Sequence, residues 1–170
     1  MRKLTNLVLV VVAVMLATTL VASTAAAKTK PKPKKKSSAI AFVGSYSGKA
    51  TTLVSGTTVA ITANGSGSGT LIGSGTMTAN GTGDTSQQPC VPFGGTGTIT
   101  GAGGTIAFKA SPGASGCGDE DGQNFTVKAY LAITSATGKL AKVKGTLRAV
   151  GTYSREDGSF QVKLTATLTK

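Results

Sequence analysis

From Ala39 onward the chain alternates. Ile40, Phe42, Gly44 and Tyr46 share one parity, and Val59, Ile61 and Ala63 form another short run. The pattern is clearest toward the C-terminus, where Phe125, Val127, Ala129, Leu131 and Ile133 fall on one face. Val143, Gly145, Leu147 and Ala149 follow, and then Phe160, Val162, Leu164, Ala166 and Leu168. Thr, Lys, Gln and Arg fill the opposite parities. A two-residue period of this length predicts half-buried antiparallel strands, and no comparable 3.6-residue period occurs after the N-terminal segment. Abundant Thr and Val agree, because β-branched side chains fit a pleated surface. The predicted fold class is all-β.

The Gly-rich middle keeps the same parity. Over residues 65–83 the odd positions are mostly Gly, broken only by Leu71, Met77 and Ala79, while Ser, Thr, Ile and Asn occupy the even ones, with Asp84 next. A disordered Gly/Ser tract has no reason to hold such a register, although composition alone permits one. The parity predicts one long bent strand or two short ones, with Gly where a neighbouring layer approaches closely. Asn64-Gly65 and Asn80-Gly81 bracket it as expected hairpin turns. A related run over 94–104 leads into a strand at 105–108.

About eight short strands with turn signals fit a β-sandwich or a closed antiparallel barrel. The barrel is the favoured expectation. Gly on the inner face helps a tightly curved sheet close, and closure removes edge strands. With five Phe, three Tyr and no Trp the core is light. Two irregular segments, 84–93 and 111–123, each hold one Cys, so a Cys90–Cys117 bridge would pin two long loops together. Two buried free thiols are the alternative. Disulfide formation is favoured because the chain starts like an exported one.

That start has three parts. Arg2 and Lys3 precede the apolar stretch 7–22, and Ala25, Ala26 and Ala27 supply small residues at a cleavage point. Residues 1–27 therefore read as a signal peptide, with a retained N-terminal anchor as the alternative. After cleavage no transmembrane span remains, and the protein is expected to be secreted or associated with the cell envelope. Residues 28–38 form a Lys/Pro linker of extended backbone. The β-domain then occupies 39–170.

Charge changes the picture only locally. The chain has 18 Lys and Arg against six acidic residues. Lys28, Lys30, Lys32, Lys34, Lys35 and Lys36 crowd into the linker, so most of the basic character belongs to a tail. That tail is a candidate contact for an anionic surface, or a solvated spacer. Nucleic acid is a poor partner, since aromatic residues do not interleave with the charges and the chain leaves the cytoplasm.

Candidate chemistry is sparse. There is no His anywhere, which removes the usual base for a Ser or Thr nucleophile. The two Cys fit neither a CxxC redox motif nor a zinc site. The acidic groups at 119–121 and 156–157, each followed by Gly, read as hairpin turns or as part of a hard-cation site. No cofactor is expected, and enzymatic activity is not.

The segment 137–145 (TGKLAKVKG), following a strand that ends in Ile133, resembles a recurring segment of the dirigent and allene oxide cyclase-like barrels. It is also similar to one in small exported bacterial proteins that share the eight-stranded barrel. The run 95–101 (GTGTITG) is similar to theirs too. Ser135-Ala136 stands where those proteins usually have a Gly pair, and Leu140 where they usually have Phe. The resemblance implies an antiparallel barrel whose mouth or lumen holds an apolar ligand, and it carries over no catalytic residue.

Two functional readings follow. One is a non-enzymatic exported barrel acting at or outside the envelope, with the lysine tail on anionic surfaces. The other is a barrel that binds, or isomerises, a small apolar molecule in a lumen lined by Leu71, Met77, Phe125, Leu131 and Leu147. Eight strands leave either a filled core or room for one small ligand, and sequence leaves that choice open.

Overall fold

The computed structural model describes residues 38–170. The expected signal segment and the lysines at 28–36 lie outside the described residues. The described chain is built of nine strands: β1 (Ala39–Ser55), β2 (Thr58–Gly69), β3 (Gly73–Asp84), β4 (Cys90–Gly101), β5 (Gly104–Ala110), β6 (Ser115–Gly118), β7 (Asn124–Ala136), β8 (Thr146–Ser154) and β9 (Ser159–Thr169). Among the described residues no helix is long and apolar enough to cross a membrane.

Neighbouring strands pair antiparallel in the order β1-β2-β3-β4-β5-β7-β8-β9, and β1 pairs with β9, so the sheet closes into an eight-stranded barrel with β6 as one extra strand. The extra strand has a simple origin. Both β5 and β6 pair antiparallel with β4 and with β7, one toward each end, so together they fill a single strand position. Pro112 and Gly113 (φ 89°) interrupt that position between them. Opposite β5, the register shifts between Ala107 and Phe108, leaving Thr134 of β7 as an extra residue. Bulges of this kind bend a sheet, and this one ends the clean alternation at Ile133.

The two ends of the barrel differ. At one end Phe42, Tyr46, Ile72, Ile99, Ile106, Leu140, Leu147, Leu164 and Leu168 are at most 1% exposed. Here the β2–β3 turn contributes Ile72, and the β7–β8 connection contributes Leu140, from the 3-10 turn Gly138–Leu140, and Val143. These side chains cap the barrel from below. The 137–145 segment is thus a plug rather than a strand. Val143 and Gly145 precede β8, and Gly145 takes φ 144°, a correction to the strand expected from residue 143 onward.

The inner face explains the glycines. A Cβ on Gly48 would overlap the Asn64 carbonyl oxygen, and one on Gly97 would lie 2.5 Å from both the Phe108 ring and the Thr78 oxygen. Gly97 is the direct cross-strand partner of Phe108, and Gly48 of Phe160, so rings lie over bare backbone. Asn64-Gly65 and Asn80-Gly81 correct the turn expectation. Both sit inside strands, β2 and β3, and the actual turn is at 70–72. Their glycines serve close approach instead: a Cβ on Gly65 would meet the Ser47 oxygen at 2.5 Å, and one on Gly81 would overlap the Gly94 oxygen.

The cysteines are also placed differently from the expectation of two bridged loops. Cys90 opens β4 and Cys117 lies in β6, directly opposite one another across the ladder, and they form a disulfide.

Candidate functional site

Above the packed end the barrel holds a cavity of about 260 Å³ that opens at the opposite end. Its existence follows from side-chain size. At mid-height the inward positions are small: Ala50 pairs with Ala63 and Ala63 with Ala79 on one wall, and Ala129 pairs with Ala149 on the other. An eight-stranded barrel is just wide enough for ordinary side chains to fill it, so facing rows of alanine leave space at the centre. Above them Val59, Val91, Phe93, Phe125, Phe160 and Val162 make the upper wall.

The mouth lies at the end carrying the β1–β2, β3–β4, β6–β7 and β8–β9 connections. Val54 at its rim is 59% exposed, and Leu53 beside it is 72% exposed. The tip of the β1–β2 hairpin projects past the β8–β9 turn, since the Ala50 amide already donates to the Gly158 carbonyl. The disulfide ties β4 to β6 at the same end.

Polar groups on the wall are few. Thr52 and Tyr153 share a 3.4 Å hydroxyl contact, and Arg155 stands 5.1 Å from the centre of the Phe125 ring. That distance is within cation–π range. No carboxylate, thiol or imidazole lines the cavity.

The carboxylates of the mouth loops are engaged in turn geometry. Asp119 accepts from the Asn124 side chain (2.9 Å), the Asn124 amide (3.1 Å) and the Gln123 amide (2.9 Å). These bonds, that of the Asn124 side chain first, hold its carboxyl below the usual range. Asp157 is lowered more strongly, by Ser159 first and by Lys49 after it, and Lys49 forms a 3.1 Å ion pair with it. Asp84 is lowered by the Ser86 hydroxyl and amide. Hydrogen bonds to the charged form act in this direction. The two acidic groups read from sequence as turns or cation ligands therefore sit in turns, and among the described residues no group of three or more potential ligands converges.

The five lumen residues expected from sequence divide. Met77, Phe125 and Leu131 line the cavity. Leu147 points inward but lies in the packed end, fully buried. Leu71 does not belong to the lumen: it sits in the β2–β3 turn at φ 66° and is 39% exposed, while its neighbour Ile72 turns in. The alternation that assigned Leu71 stops at that turn. Sequence reading missed the alanines, Phe93 and Arg155. The alanines all carry inward parity, but only the register reveals that they share one level.

One further inward group stands apart. The Tyr46 hydroxyl, in the packed end, is buried without a hydrogen-bond partner, and desolvation raises its pKa. Comparison with protein families, curated proteins and solved structures gives no match to this chain.

Proposed function

We propose that this protein is an exported, non-enzymatic barrel that takes up one small, mainly apolar molecule in its lumen. The alanine belt carries the reading: it leaves an unfilled apolar space, entered from one end only, inside a wall otherwise packed against aromatic rings. An engineered cavity of about 150 Å³ already holds benzene, so this one suits a molecule of one or two rings or a medium alkyl chain. A wall without carboxylate, thiol or imidazole favours binding over acid–base or nucleophilic chemistry. The disulfide and the signal-like first residues support action at or outside the cell envelope. In this reading the lysines at 28–36 form a contact with anionic surfaces. The relation to dirigent-like barrels, resting on 95–101 and 137–145, is part of the same proposal.

The test is a titration with N-phenyl-1-naphthylamine, a neutral dye that brightens in apolar surroundings. Saturable one-to-one binding is expected, weakened at least about tenfold in Ala129→Phe and in Ala63→Phe, which each add a ring to the belt. Two folded variants binding as well as the wild type would place the dye elsewhere and remove the proposal.

A further inference from the structure

The barrel sorts its charges by region. All six acidic residues, Asp84, Asp119, Glu120, Asp121, Glu156 and Asp157, lie at the mouth end. The wall made by β1 to β4 presents mainly Ser, Thr and Asn outward, with Asp84 at its mouth edge and Lys49, already paired to Asp157, as its one cation. The opposite wall is basic. Lys109 on β5, Lys128 on β7, Arg148 on β8 and Lys163 on β9 put one exposed cation on each of four adjacent strands. None of them forms an ion pair among the described residues.

The register shows that they form one patch. Lys128 and Lys163 both pair with Val150, in one row across the sheet, so their Cα atoms stand about 10 Å apart. The next row runs Tyr130–Arg148–Thr165–Val43, and Lys109 pairs with Ala132 one row further. Tyr130, 57% exposed, lies beside Arg148 at the centre. Lys163 edges a shallow groove over Ser45 and Ser68 between β1, β2 and β9.

We infer that this basic wall is a docking surface for a flexible, linear polyanion, a polymer of repeating phosphate or carboxylate groups. Charge complementarity carries the inference: four cations without counter-ions converge on a wall that holds no acidic residue, while the acids are held at the mouth. The shape selects a polymer over a bilayer. A convex barrel wall touches a plane only along a line, whereas a flexible chain can follow the rows across four strands. The patch also lacks the cluster of bulky apolar side chains that would enter a membrane, since Tyr130 and Val43 are its only large exposed apolar groups. Docked this way, the mouth stays free beside the contact. The inference is independent of the lumen and of the lysines at 28–36.

The experiment measures binding of long-chain inorganic polyphosphate to the full chain at about 50 mM salt, where charges interact over roughly 14 Å. Wild type is compared with K128Q/R148Q/K163Q and with a charge-matched control, K139Q/K142Q/K170Q, at the closed end. The expected result is a loss of about tenfold or more in the first variant, a clearly smaller loss in the control, and convergence of all three near 0.5 M salt. Amide NMR shifts in the wild type should move at Lys128, Tyr130, Arg148 and Lys163. Equal losses in both variants would reduce the effect to net charge, and no loss in the first would assign it to the N-terminal lysines. Either result overturns the inference. So does tighter binding to phosphatidylglycerol vesicles, lost in the first variant, because the patch would then be a membrane contact.

Discussion

At the scale of single residues, glycine does different jobs on the two faces of the sheet. Gly48 has no room for a methyl group because the Asn64 carbonyl and the Gly65 Cα occupy the space, whereas Gly94, on the outer face of β4, has nothing within 4 Å. Gly48→Ala should therefore destabilise the domain by several kcal/mol or prevent folding, while Gly94→Ala should leave it unchanged or stabilise it by about 0.5 kcal/mol. Chemical denaturation of the two variants checks this, and equal effects would contradict the close-packing account. The alternation in the sequence already placed Gly on the inner parity. It did not distinguish a turn glycine from a contact glycine, because Asn-Gly satisfies both patterns until the register is known.

Carboxylates at the mouth give a pH signature at the same scale. Asp119 and Asp157 are lowered below the ordinary unfolded value of about 3.9. Their stabilising contribution is thus present above that value and is lost as pH falls through the lower folded one. Both are exposed, so salt screens the effect and keeps it small. Urea midpoints should fall between pH 5 and pH 2 in the wild type. Asp157→Asn should start lower at pH 5, with the gap narrowing as pH falls toward 2. A gap independent of pH would separate Asp157 from this role.

At the scale of elements, what the sequence revealed and what it hid follow the same physics. The strands β7 and β9 were legible because long inward runs of large apolar residues alternate with Thr, Lys and Gln. The β7–β8 connection was not, since Val143 and Gly145 hold the right parity for a strand while Lys142, at φ 68°, turns the chain away from one. Leu140 and Val143 are buried because they cap the closed end, a role set by three-dimensional closure. Cys90 and Cys117 looked like loop residues because Gly, Pro and Asp surround them, yet the short pairing of β6 with β4 brings them together. Closing a loop with a sequence separation of 27 stabilises the fold by about 3–4 kcal/mol in the chain-entropy model. The double variant C90A/C117A should lose about that much in equilibrium unfolding, and no loss would mean that the β4–β6 ladder holds this end unaided.

At the scale of the whole molecule, three regions of unlike chemistry share one closed sheet: a sealed apolar end, an acidic mouth around an apolar lumen, and a basic wall. Closure into a barrel was legible from strand number and inner-face glycine, and the cavity was not. Met77, Phe125 and Leu131 were found because large residues announce themselves, but a cavity is made by the small ones. Ala50, Ala63, Ala79, Ala129 and Ala149 are scattered over five strands and meet at one level only when the register is fixed.

The central claim is that this level is empty and receives a guest. It is tested most directly by methyl-resolved NMR of the wild-type domain titrated with naphthalene. The account predicts saturable one-to-one shifts in the methyl groups of Ala63, Met77, Ala129 and Leu131, with those of Leu140, Leu164 and Leu168 in the packed end unmoved. Lumen methyls that stay still up to the solubility limit, or shifts spread evenly over both ends, would contradict it.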